Sequence, residues 1–163
     1  MKKHFKALTC LTLSICLMAS SLLTSSPVAA NSTTVSEETI QMEDGSYCVI
    51  TTTETIVPSI ARGTTHTKTA NKSYNYYNAN NVLSWKYTLH GTFMYDDYLV
   101  VCSDVSHSID VYNGKYWVYD SGSGKRWKSG NTAYGKATFH LIGTTTSKTV
   151  KLQISCTKHG VIS

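Results

Sequence analysis

Apolar and polar residues alternate with a period of two along most of the chain. That spacing sends successive side chains to opposite faces of extended strands. The clearest run is Val82 to Tyr95. Leu83, Trp85, Tyr87, Leu89, Gly91, Phe93 and Tyr95 point one way, and Val82, Ser84, Lys86, Thr88, His90, Thr92 and Met94 point the other. Such sustained alternation leaves no room for a helical stripe, and Gly91 in mid-run predicts a bend or bulge. Further strands are predicted over Glu38–Met42, Tyr47–Val57, Thr65–Tyr77, Tyr98–Asp104, Val105–Val111, Lys115–Asp120, Ala133–Leu141 and Val150–Cys156. Asp44-Gly45 and Asn113-Gly114 are hairpin signals. Ser121-Gly122-Ser123-Gly124 opens a loop that is expected to run to Gly130.

Strands this short, with turns this frequent, predict an all-β chain folded as a two-layer antiparallel β-sandwich of immunoglobulin-like size. A small barrel is the second choice. A single flat sheet would leave one apolar face in water. Eleven tyrosines suit pleated, half-buried surfaces. The order Cys102, Trp117, Cys156 matches the pin of an immunoglobulin domain, but Ile154 stands where its tyrosine is expected.

The first 30 residues read differently. Lys2, Lys3 and Lys6 precede an apolar stretch from Ala7 to about Leu23, and small residues at Val28 and Ala30 follow. That layout predicts a helical secretory signal peptide over 1–30, cleaved after about Ala30. Thr9, Thr12, Ser14, Ser20 and Ser21 interrupt the apolar stretch, which is short for a membrane span.

Removing the signal changes the charge picture. The whole chain carries +5; beyond residue 30 there are twelve basic against ten acidic groups, a net +2. Residues 31–60 hold Glu37, Glu38, Glu43, Asp44 and Glu54 and no Lys or Arg, whereas residues 61–163 hold twelve basic and five acidic groups. Pro58 and Ala61-Arg62-Gly63 read as a linker. The expected organisation is therefore an acidic segment with a weak hairpin over 31–61 and the sandwich domain over 62–163. The acidic segment reads either as a solvated arm or as a removable pro-segment that shields a basic face.

Cys48, Cys102 and Cys156 lie beyond the signal. Export permits a disulfide, and an odd count leaves one thiol over. Cys102–Cys156 is the preferred bridge, because both lie in strand patterns of one domain.

Candidate chemistry is sparse. There is no Gly-x-Ser-x-Gly elbow, no phosphate loop and no dinucleotide fingerprint. His66, His90, His107, His140 and His159 show no metal-ligand spacing. No catalytic residue, metal or cofactor is predicted, and the expectation is a non-enzyme that does not bind nucleic acid. One patch stands out: Lys125-Arg126-Trp127-Lys128, placed in the Gly/Ser loop. Cations beside an aromatic ring suit an anionic polymer, a glycan or a membrane surface. Tyr74, Tyr76 and Tyr77 are expected to add exposed rings, which stack on sugars while keeping a polar handle in water. The expected partner is therefore cell-wall polymer, glycan or a membrane or host surface. An antimicrobial or membrane-active toxin with an acidic pro-segment is the alternative.

The run Ala61-Arg62-Gly63-Thr64, the stretch Trp85 to Tyr95, the segment Ser129-Gly130-Asn131-Thr132-Ala133-Tyr134-Gly135 and the ending Val150 to Cys156 with Gly160 and Ser163 carry a likeness. Over about residues 60–163 the chain resembles a group of small exported β-rich proteins of clostridia-like Gram-positive bacteria. The resemblance implies bacterial secretion and supports the Cys102–Cys156 pairing. It transfers no catalytic residue and no activity.

Overall fold

The structure is a computed structural model that describes residues 32–57 and 65–163. The expected signal peptide, its cleavage site and the linker around Ala61 lie outside the described residues.

Nine strands and no helix make up the described chain. They are β1 (Ser32–Gln41), β2 (Tyr47–Val57), β3 (His66–Tyr77), β4 (Leu83–Tyr95), β5 (Val100–Val111), β6 (Trp117–Tyr119), β7 (Lys125–Ser129), β8 (Thr132–Leu141) and β9 (Ser147–Ser155). The first five form one antiparallel meander in chain order. In the second sheet β8 pairs with β9 along one edge, and with β6 and β7 at successive stretches of the other. The two open sheets pack as a sandwich; no barrel closes.

The alternation of β4 builds the core. Trp85, Tyr87, Leu89 and Phe93 are buried on the face that meets the second sheet, where Ala133, Ala137, Phe139, Val150, Leu152 and Ile154 are also buried. Trp85 and Phe139 stack at 3.9 Å between ring centroids, with Tyr76 on Trp85 at 4.9 Å. Small side chains on β8 make room for large ones on β4, which keeps the layers interdigitated at close packing. Full burial of each large apolar side chain contributes about 1.5–3 kcal/mol.

Gly91 sits on the inner face of β4, close against the second sheet. A Cβ there would lie 2.8 Å from the Phe93 ring and 3.2 Å from Ala133 Cβ. The predicted irregularity appears close by: Thr92 pairs with Asp104 and Phe93 with Cys102, leaving Ser103 extra. This bulge resets the in–out alternation. It merges into one strand, β5, the two segments that the pattern predicts separately.

Two turn expectations fare differently. Asp44-Gly45 closes the β1–β2 hairpin, with Met42 N–H bonded to Ser46 O at 2.9 Å and Ser46 N–H to Asp44 Oδ1 at 3.0 Å. Asn113-Gly114 does not close a hairpin. Tyr112 and Asn113 donate their N–H groups to Ser84 O, and the chain crosses to the second sheet, where β6 pairs with β8. The outlet is set by β5 ending at the sheet edge, and that tertiary context overrides the local turn signal.

The acidic hairpin is built into the first sheet, with β2 paired to β3 from Tyr47–Tyr77 to Val57–Thr67. Its Glu54 meets Lys68, a β3 lysine only 7% exposed, at 3.0 Å. Lys68 Nζ also donates to Gly160 O at 2.6 Å. Gly160 has φ +75°, and its missing Cβ would strike the Tyr95 ring at 2.5 Å, so only glycine fits that corner. One buried ammonium thus ties the N-terminal hairpin to the C-terminal tail.

The expected Cys102–Cys156 disulfide is absent: Cys48, Cys102 and Cys156 are all buried free thiols. Cys102 lies on β5 opposite Phe93 and donates its S–H to Asp104 O; Cys156 bridges to Ile162 and donates to Thr157 O. Each thiol is thus satisfied within its own strand end. Burial raises the pKa of both Cys102 and Cys156.

Candidate functional site

The four residues Lys125 to Lys128 form an edge strand rather than a loop, and strand geometry splits them. Lys125 and Trp127 point to the outer face of the second sheet. Arg126 and Lys128 point to the other side. Lys128 Nζ donates to the carbonyl of Ser103 on β5. The Arg126 charge acts on Tyr87 and His107. The tyrosines separate as well. Tyr76 is 3% exposed and stacked in the core, and half-buried Tyr74 stacks on Trp85 at 5.5 Å. Burial raises the Tyr74 pKa, with Cys48 beside it adding to the shift. The expectation that these two rings are free for ligand is thus corrected. Tyr77 lies on the outer face of the first sheet, stacked on Tyr47 at 4.8 Å.

Register brings partners that the sequence patch did not include. Lys125 pairs directly with Lys136, and Lys136 with Lys151, so three lysines form one row across β7, β8 and β9. The next row is Trp127–Tyr134–Gln153. Trp127 and Tyr134 are stacked at 5.2 Å with ring planes 6° apart, and Trp127 is 48% exposed. The four ion pairs found among the described residues involve Lys68, His140, Lys148 and His159, and none involves the row. Like charges placed directly opposite across strands destabilise a sheet. Here no carboxylate offsets them, so the face concentrates positive potential beside a flat aromatic surface.

The outer face of the first sheet has another character. Thr53, Asn71, His90 and Ser106 form one cross-strand row, and Thr51, Ser73, Thr88 and Ser108 the next. A groove of about 410 Å³ runs over both. His90 Nδ1 lies 2.7 Å from Asn71 Oδ1, and Nε2 lies 3.2 Å from Ser108 Oγ. The tautomer that satisfies both contacts carries its proton on Nδ1 and accepts from the Ser108 hydroxyl. Asn71 Nδ2 in turn donates to Thr53 Oγ1 at 3.5 Å. Desolvation, followed by the nearby Lys86 charge, lowers the His90 pKa. This Ser–His–Asn order has the donor sequence of a nucleophile, base and orienter. β2, β3 and β4 have neighbours on both sides and their N–H groups are committed to the ladders, so free backbone donors near the Ser108 hydroxyl are confined to the outer edge of β5.

A third concavity, of about 560 Å³, lies at one end of the sandwich between His66, Asp97 and His159. Its His159–Asp97 pair is 3.8 Å apart and exposed to water. Asp96 there spends its carboxylate on the N–H groups of Tyr98 and Leu99, which lowers its pKa. Among the described residues no group of three or more His, Cys, Asp and Glu side chains is placed to hold a metal ion. Comparison with protein-family models, with curated proteins and with solved structures returns no match.

Proposed function

We propose that this is an exported bacterial binding module that holds an anionic polymer, such as a phosphate- or carboxylate-bearing cell-wall polymer or glycan, on the outer face of its second sheet. The observation that carries the reading is the row Lys125–Lys136–Lys151 with no ion-pair partner, lying beside the Trp127–Tyr134 stack. A polyanion laid across the row would relieve the repulsion that the fold otherwise tolerates. Sugar rings of the same polymer would cover the indole and phenol.

The toxin reading, with an acidic pro-segment as shield, finds less support. The acidic hairpin belongs to the other sheet, and its cationic contacts are Lys68 and Lys148 rather than the row. Taking it away would strip the edge of β3 without uncovering the lysines.

The test is binding of the chain from residue 31 onward to purified cell walls and to immobilised heparin as a model polyanion. Each lysine near an anionic surface is worth about 1 kcal/mol, so Lys125→Ser/Lys136→Ser/Lys151→Ser together should weaken binding roughly 100-fold at low salt. Lys115→Ser/Lys158→Ser, away from the row, should leave it unchanged. Equal loss in both variants, or none in the first, removes the basis of the proposal. Binding to anionic vesicles but not to walls would favour the membrane alternative.

A further inference from the structure

The polar groove of the first sheet is independent of the lysine face and lies on the opposite outer surface of the sandwich. Its chemistry is also different. Lys86 is the one formally charged side chain that lines it, and burial disfavours the charged form of His90, whose ring nitrogens are engaged by Asn71 and Ser108. Apolar side chains are missing from its lining. An anion would meet a single ammonium, and an apolar ligand would find no surface to cover. A peptide adding as a strand could pair only along the outer edge of β5, away from Asn71 and His90, because β2, β3 and β4 are each already paired on both sides.

What the groove does offer is paired donors and acceptors at regular spacing. Asn71 and Asn75 each present an amide, which donates and accepts at once. Ser73 Oγ and Thr88 Oγ1 lie 3.1 Å apart, and either can be the donor. The chain Ser108–His90–Asn71–Thr53 runs across four strands with every link polar and uncharged. Neighbouring strands are about 4.8 Å apart, so the groups form a two-dimensional lattice rather than one point of contact. Neutral, bidirectional groups in a fixed lattice complement a ligand whose own groups are bidirectional and neutral, namely the hydroxyls of a sugar chain. The cross-strand hydrogen bonds hold the side chains in place beforehand, which lowers the ordering cost of binding.

We infer that the groove over β2–β5 is a binding site for an uncharged oligosaccharide, with Asn71 and His90 at its centre. The site stands whether or not the lysine row binds polyanions, and the two are separable by mutation.

The experiment is calorimetric titration of the chain from residue 31 onward with two soluble hexasaccharides, a β-1,4-linked glucose hexamer and a β-1,4-linked N-acetylglucosamine hexamer. At least one should bind and shift the NMR signals of the Asn71 side-chain amide and the His90 ring. Asn71→Ala and His90→Ala should each weaken that binding about tenfold or more, one strong hydrogen bond's worth. Ser73→Ala, which leaves the imidazole chain intact, should weaken it less and guards against loss of fold in the other two. The triple lysine variant should bind as wild type. Failure of both sugars to bind, retention of affinity in Asn71→Ala and His90→Ala, or loss in the triple lysine variant would each overturn the assignment.

Discussion

Lys68 offers the sharpest test of the energetics. Its side chain is 9% exposed, its partner Glu54 is 23% exposed, and the ammonium reaches Glu54 Oε2 at 3.0 Å and Gly160 O at 2.6 Å. At that separation the gross Coulomb attraction is roughly 5–6 kcal/mol for an effective dielectric constant of about 20. Desolvating the ammonium costs several kcal/mol in return, about the same size. The pair is therefore near neutral as a whole, yet each half alone is expensive. Glu54→Leu leaves a buried cation with one carbonyl for company. Removing one partner of a buried pair costs about 3–5 kcal/mol, and the partial exposure of Glu54 brings this to about 2–4 kcal/mol. Lys68→Met removes the buried charge itself. It orphans Gly160 O and lets Glu54 rehydrate, for about 1–2 kcal/mol. The double variant should match Lys68→Met, giving a coupling of about 2 kcal/mol or more. The assay is urea unfolding of all four proteins at neutral pH, followed by far-UV circular dichroism. If Lys68→Met costs as much as Glu54→Leu, or if the single effects simply add, the ammonium is not the buried partner and the reasoning fails.

Other expectations follow from the same geometry. Gly91→Ala should cost about 1–3 kcal/mol in thermal or urea unfolding, because its methyl would press on the Phe93 ring and on Ala133. Denatured protein that has never met reductant should titrate three thiols per chain beyond residue 30, while the native protein reacts slowly, since Cys48, Cys102 and Cys156 are free and buried. Burial lowers the His90 and His107 pKa values below 6.5. The unfolded chain therefore binds more protons there, so stability is full above the unfolded histidine value and falls as pH drops through the folded ones. A His90→Gln/His107→Gln variant should accordingly lose less stability than wild type between about pH 7 and about pH 5, measured by urea midpoints.

Much of this sandwich is legible in the alternation, and the failures have physical causes. β4 reads cleanly because one face is apolar throughout and the other is polar from Ser84 to Thr92. β3 does not. Lys68 and Lys72 share its inner face with Tyr74 and Tyr76, so the pattern could not tell which rings were dry. Lys125 and Trp127 were visible as a local cluster. Lys136, Lys151 and Tyr134 were not, because they lie one and two strands away and join the row only through register. The same holds for the groove, whose members are ordinary surface residues until four strands align them. The bulge at Ser103 hid the continuity of β5 by switching the phase of its alternation.

The distribution of indoles has a practical corollary. Trp85 and Trp117 are 1% and 5% exposed, whereas Trp127 stands half in solvent one row from three ammonium groups. Native emission thus separates into two dry reporters of folding and one wet reporter of the cationic sheet. Iodide, drawn in by the lysines, should quench the wet component strongly, and caesium, repelled by them, hardly at all. A polyanion seated on the row would abolish that contrast, which turns the protein's own fluorescence into a binding assay without any attached dye.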